Sequence, residues 1–442
     1  MTEPESPRPW WKKLRLGLSL RALMVVVLAL GGGLGWVVHR ARVQRLAVEA
    51  IRAAKGQVYY NWQPPGNKPT SPGGKPPASP WPKPLVDALG PDYFDTVNMV
   101  SVQKAPSSPK GGPIDATLMA KVAQLDHLEW LSLTDVPGSS LDDAAFAYVG
   151  RLGGLKLLGI SGSRLTDAGL APLAHFRHLV VLKLINTPIT DAGLAHLRGL
   201  TRITSLELRT NPGIHGPGLV YLKDMTGLKT LLLDATPIDD AGLAHLAGLR
   251  SLETLNMTGP GITDAGLAHL TGLTNLKMLR VSEGPITSAG LVHLKGMKDL
   301  ATLDLSATRV DDLAHLAPLV KLERLTQAPV KDAALAGLAK IPGLKHLSLD
   351  GAPITDEGLA HVAALGNLET LNLSRTAITD AGLDRLAALA KCKTIQLLGT
   401  KVTPAGIANL KAKLPTATVI GPGSPGPPMF RPPAPPTPAP KP

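Results

Sequence analysis

The sequence predicts an α/β solenoid of stacked strand–turn–helix units, with parallel strands on a concave face and helices on a convex one, behind an N-terminal apolar helix. Three observations predict it. The stretch "ITDAGLAHL" occurs at Ile189–Leu197 and again, letter for letter, at Ile262–Leu270, with near-copies starting at Ile238, Ile286, Ile354 and Ile378. An L-x-x-L-x-L run precedes each copy, and most runs start 24 residues apart, a period that marks a repeat array. Aromatic residues make up only 3% of the 442, so the core must be built from leucine in regular layers.

The N-terminal apolar helix comes first. Residues 1–21 form a basic segment containing Arg8, Lys12, Lys13, Arg15 and Arg21. Residues 22–38 carry no charge and would make a helix roughly 26 Å long, close to the ~30 Å hydrocarbon core of a bilayer. Trp10, Trp11 and Trp36 flank this stretch as interfacial anchors do. A cleaved signal peptide, cut near Ala29–Gly31, is the rival reading. The tryptophans and the basic residues Arg40, Arg42 and Arg45 directly after the stretch favour an uncleaved single-pass anchor. The N-side excess of basic residues puts the array on the extracytoplasmic side. Gly31 and Gly35 form a GxxxG, a weak signal for a homodimer.

A juxtamembrane segment (39–63), a Pro/Gly-rich linker (64–84) and an N-terminal cap with a degenerate first unit at Val97 (85–127) lead into the repeats at 128–420. The tail at 421–442 is proline-rich and reads as extended, disordered chain.

Within the repeats, runs start at 128, 155, 179, 203, 228, 252, 276, 300, 322, 344, 368 and 392, giving about thirteen units with the one at Val97. In Leu228–Asp234, Leu231 and Leu233 alternate as on a strand with one buried face. In Ile238–Leu249, Leu243, Leu246 and Leu249 fall on one helical stripe. Between the two lies a Thr/Asp pair that reads as a helix start. Thr190, Thr263, Thr287, Thr355, Thr379 and Thr403 can accept from orphan amides, and the following Asp suits the positive end of the helix. Pro404 stands in the Asp slot of the last unit, which argues against a ligand role. The glycine slot holds Ala145 and Ala334 in two units, so it needs a small residue rather than a positive φ. His196, His245, His269, His293 and His361 sit between the core leucines and read as surface histidines, not as a metal ladder.

On these residues the chain resembles leucine-rich repeat proteins over roughly 97–420. The closest pattern is L-x-x-L-x-L…I-T-D-x-G-L-x-x-L, found in the cysteine-containing repeats of F-box proteins and in bacterial membrane-anchored proteins. The residues after each strand, as in "LINTP" and "LDATP", are smaller and more variable than in that pattern, and no F-box precedes the array. The resemblance implies a horseshoe that acts as a non-catalytic scaffold for an unknown protein ligand. An adaptor for substrate recognition in targeted proteolysis or signalling is the alternative.

Composition and motifs agree. The net charge of +12 resides largely in the anchor flanks and linkers, with no basic stripe interleaved with aromatics, so no nucleic-acid partner is expected. Cys392 is the only cysteine, which excludes intrachain disulfides and cysteine zinc sites. There is no HExxH or GxxxxGK[ST], and "GISGS" (159–163) lacks the last glycine of a nucleophile elbow. No enzymatic activity, cofactor or metal is expected.

Recognition is assigned to the concave-face residues between the leucines, which vary from unit to unit: Lys183, Glu207, Arg209, Asp234, Asn256, Arg280, Asp304, Arg324, His346, Asp350 and Asn372. Two successive units of 22 residues, at 300 and 322, mark an irregularity.

Overall fold

The computed structural model describes residues 20–61, 80–103, 113–134, 140–327 and 330–422. Most of the basic N-terminal segment, most of the Pro/Gly-rich linker and the tail from 423 lie outside the described residues.

The strands form one fifteen-stranded sheet in sequence order. Strands β1 (Gln57–Tyr60) and β2 (Val97–Gln103) pair antiparallel, and every later pairing is parallel. Then come β3 (Trp130–Thr134), β4 (Leu157–Ser161), β5 (Val181–Ile185), β6 (Ser205–Glu207), β7 (Thr230–Leu233), β8 (Thr254–Thr258) and β9 (Met278–Ser282). The sheet ends with β10 (Thr302–Leu305), β11 (Arg324–Gln327), β12 (His346–Ser348), β13 (Thr370–Asn372), β14 (Thr394–Gln396) and β15 (Thr418–Ile420). Leu231, Leu255, Leu279 and Leu303 stand in register on neighbouring strands and are fully buried. Each such side chain contributes about 1.5–3 kcal/mol. A single unit could not bury them, whereas the stack shares one core.

The convex elements are shorter than ordinary helices. Some are single α-helical turns, as at Asp240–Ala244 and Asp264–His269, and others are 3₁₀ turns, as at Gly193–Leu197 and Gly290–Leu294. A 24-residue unit must hold a strand and two bends, which leaves one or two turns. Only the last helix, Pro404–Lys413, runs to ten residues.

At the end of the strand segment the chain bends through a left-handed residue. Asn186, Thr210, Ala235, Glu283, Ala307 and Arg375 take φ of 52–67° there, while Gly162, Gly259, Gly351 and Gly399 take the place in other units. Each non-glycine costs about 1–2 kcal/mol at this turn. The next residue helps to hold it: Thr308, Thr376 and Thr400 donate their hydroxyls to the carbonyls of Leu305, Leu373 and Leu397 at 2.6–2.7 Å.

The Thr/Asp pair does more than start a helix. Thr263 and Thr379 cap their own helices, accepting from Ala265 N and Ala381 N. The aspartate, however, reaches forward into the next unit. Asp240 Oδ1 accepts from the backbone N–H of Thr263 at 2.8 Å and Oδ2 from its hydroxyl at 2.6 Å. The same double latch joins Asp143 to Thr166, Asp167 to Thr190, Asp264 to Thr287, Asp332 to Thr355, Asp356 to Thr379 and Asp380 to Thr403. The bonds from Thr403 hold the Asp380 carboxyl below its ordinary range.

The glycine slot belongs to this latch. A Cβ on Gly266 would lie 2.2 Å from Asp240 Oδ1, and one on Gly382 would lie 2.2 Å from Asp356 Oδ1. Alanine occurs where that carboxylate does not arrive. The unit before Ala145 has Ala116 in the Asp slot, and Asp312, before Ala334, turns back to accept from Ala314 N. Pro404 fits the same rule, since among the described residues no threonine after it takes part in such a latch.

The N-terminal cap is built by α1 (Leu20–Ala53), a 34-residue helix. Its C-terminal part buries Ala41, Gln44, Ala47, Val48 and Ile51. Gln44 Nε2 donates to Asp92 Oδ1 at 3.0 Å and to the Asp95 carbonyl at 2.8 Å, and its Oε1 accepts from Val97 N at 3.3 Å. Tyr60 donates to the same Asp92 oxygen, and burial beside that carboxylate pushes its phenol far up. Residues expected as a juxtamembrane segment thus supply the cap helix and the first strand. The Pro/Gly-rich stretch lies in sequence between β1 and α2 (Lys83–Leu89), both C-terminal to the uncharged 22–38 stretch.

Every described side chain of α1 from Met24 to His39 is exposed. Among the described residues no helix is long and apolar enough to cross a membrane. Five side chains of the 22–38 stretch, those of Ala22, Leu23, Val25, Val26 and Leu28, fall outside that set.

Candidate recognition face

The eleven expected residues all lie on, or just past, strands, on the face opposite the core leucines. The pairing register sorts them into three files rather than one. Lys183, Glu207, Asn256, Arg280, Asp304 and Asn372 share a file with Leu232, Thr326, Ser348 and Gln396. Arg324 and His346 belong to a parallel file with Thr230, Thr254, Met278, Thr302, Thr370 and Thr394. Arg209, Asp234 and Asp350 sit just beyond their strands.

The charges largely compensate one another. Glu207 is buried and takes Lys183 at 2.6 Å and Arg209 at 2.8 Å. Arg280 lies between Asp304, at 3.2 Å, and Asp234, at 3.8 Å. Asp350 forms a two-pronged pair with Arg375, whose Nε donates at 2.9 Å. Burial raises the Asp234 carboxyl against the opposing pull of Arg280 and Arg209. Arg324 and His346 are register neighbours, and burial lowers both; Arg324 lowers His346 further. His346 Nδ1 lies 3.2 Å from Thr370 Oγ1.

The middle of this face keeps unspent hydrogen-bonding capacity. Among the described residues, Arg209 Nε, Asp234 Oδ1, Asn256 Oδ1, Arg280 Nε and Ser282 Oγ are buried and make no hydrogen bond. Arg280 Nε is near Asp304 but lacks the alignment of one. These atoms lie on or just past consecutive strands, β6 to β9.

Sequence reasoning missed the threonine file and a second feature, an alternating charge ladder in the position before several strands. Lys229, Glu253 and Lys277 pair at 3.0 and 2.7 Å, Glu323 pairs with Lys345 and Glu369 with Lys393. Its signal was present, since opposite charges recur there about one unit apart. The convex histidines are half-buried or exposed, and no cluster of three metal-ligating side chains occurs among the described residues. Cys392 is buried in a core slot, which pushes its thiol up.

Comparison with known proteins bears on the fold. Residues 343–363 and 367–387 match the family profile described as "Leucine Rich repeat". No curated protein matches the chain. The solved structure of an internalin, InlF, from Listeria monocytogenes is 20% identical and covers 76% of this chain and 91% of its own, with a TM-score of 0.56. A chain of the Rad7–Elc1 complex of yeast is 20% identical over 70% of this chain and 78% of that one, at a TM-score of 0.49. A second Listeria internalin, InlC2, is 26% identical over 53% of this chain and 84% of its own, at 0.34. Two units of the array are thus leucine-rich repeats by their profile, and the repeated strand–turn–helix stack shares its fold with InlF.

Proposed function

We propose that the chain is a membrane-anchored, non-catalytic leucine-rich repeat protein that binds another protein through the concave face of its array. The observation that carries the binding reading is the row of buried polar atoms without hydrogen bonds from Arg209 to Ser282. Buried polar groups are ordinarily satisfied, and leaving one unmet costs about 1–3 kcal/mol. These atoms are enclosed in the free chain, so a partner segment lying across β6 to β9 would meet them by turning their side chains outward, and the self-compensated charges around them favour a neutral polar surface over a strongly charged one. The anchoring reading rests on the uncharged 22–38 stretch and on the exposure of its described apolar side chains, Leu34 at 67% among them. In this reading the array is extracytoplasmic.

A paired test separates the two parts. Protease added to intact cells should degrade the array, whereas protection would reverse the orientation. Proximity labelling should recover a partner whose crosslinks are lost on Asn256→Trp and retained on convex His245→Gln. Loss on the convex substitution, with the concave one silent, would sink the concave-face reading.

A further inference from the structure

The N-terminal cap carries a second apolar surface that the array's core does not use. Helix α2 buries none of its residues, and it exposes Leu85 at 48% and Leu89 at 45%. The spacing puts Leu85, Ala88 and Leu89 on one stripe, with Lys83 and Asp87 on the opposite side. Trp81, just ahead, is fixed by its ring against Phe94 at 5.5 Å and by its N–H to Asp95, yet it remains 44% exposed. An indole with a satisfied polar end and an open apolar face suits the border between water and lipid.

What covers this surface follows from where α2 is tied down. Arg45 of α1 donates to the Leu89 carbonyl at 2.6 Å and lies over the Tyr93 ring at 5.6 Å. Arg45 is seven residues past Val38, the end of the uncharged stretch, or about 10 Å along the same unbroken helix. The headgroup layer is about 5–8 Å deep on each side of the hydrocarbon core. The exposed apolar side of α1 and the tie to α2 are therefore about 10 Å apart along the helix, so that α2 reaches the outer part of the headgroup layer when α1 is tilted, with Arg40 and Arg42 between them in the helix.

We infer that α2 and Trp81 form a foot that lies in the lipid headgroup layer, so that the N-terminal end of the array rests on the bilayer. This rests on the anchoring reading above. The foot and the rigid helix together fix the array's angle to the membrane.

The test uses the full chain in phosphatidylcholine/phosphatidylglycerol vesicles. An environment-sensitive fluorophore is placed by Leu85→Cys, and in a second sample by His245→Cys on the convex face, both with Cys392→Ser. Flotation of the vesicles reports the anchor independently of the label. The foot predicts that the label at 85 loses most of its emission to brominated lipid and is shielded from aqueous iodide, while the label at 245 behaves oppositely. Flotation with the label at 85 open to iodide overturns the foot and leaves the anchor standing. Failure to float overturns the anchor, and the foot with it. Shielding from iodide in detergent, dependent on protein concentration, would assign the surface to a second copy instead.

Discussion

At the scale of single residues, Asp234 shows what burying a carboxylate on the concave face costs. Its carboxyl is raised by burial even though Arg280 and Arg209 oppose the shift. A carboxyl with a raised folded pKa binds its proton more readily in the native state than in the unfolded chain. Stability contributed by the protonated form is therefore lost as pH rises from the unfolded value near 3.8 through the folded one. Asp234→Asn should accordingly raise the thermal midpoint at pH 7 and flatten the pH profile just above the ordinary carboxylate range. Arg280 would keep Asp304 as its partner. A lower midpoint in the variant would mean that the pairing with Arg280 outweighs the burial.

At the scale of the element, the repeated unit is closed by its neighbour's aspartate. Gly→Ala in a helical position ordinarily stabilises by about 1 kcal/mol. Gly266→Ala should do the reverse, because the new Cβ displaces Asp240 Oδ1 from Thr263. Hydrogen bonds to a charged group contribute about 1.5–3 kcal/mol, so the net loss is on the order of 1 kcal/mol. Adding Asp240→Ala should cancel the clash, and a denaturant double-mutant cycle would read the coupling. Additive losses would refute the latch.

The sequence shows why this was only half legible. Period, strand face and helix start all follow from leucine and threonine spacing. Whether Asp240 serves its own helix or the next unit cannot be told from spacing, since every unit offers both. The face of Arg280 was legible from alternation, but not its position between Asp234 and Asp304, because that depends on the register of three separate units. The cap was obscured for another reason: the Pro/Gly-rich stretch separates β1 from β2, strands that are neighbours in the sheet.

At the scale of the whole molecule, the latches are unevenly distributed. They are complete from Asp143 to Thr190, from Asp240 to Thr287 and from Asp332 to Thr403. Asp191 reaches only backbone amides, at His215, Gly216 and Gly218, and Gly216 in the next Asp slot offers no carboxylate. At the first short unit the polarity reverses, with Ser288 donating to Asp311, and Asp312 reaches no further than its own turn. Native-state hydrogen exchange should find amides between Asp311 and Lys331 opening more readily than those between Thr355 and Thr403. Equal protection across both would show that the leucine core alone sets local stability.

The forward direction of the latch also sets how such an array can lengthen. Each fully latched unit brings the threonine and glycine that receive the previous carboxylate, together with a carboxylate for the next. A tandem duplication placed inside a latched run, between Asp240 and Thr287 or between Asp332 and Thr403, therefore leaves every junction matched. A unit appended after Pro404 would find no carboxylate waiting, so growth is permitted from within and stopped at one end by a single residue.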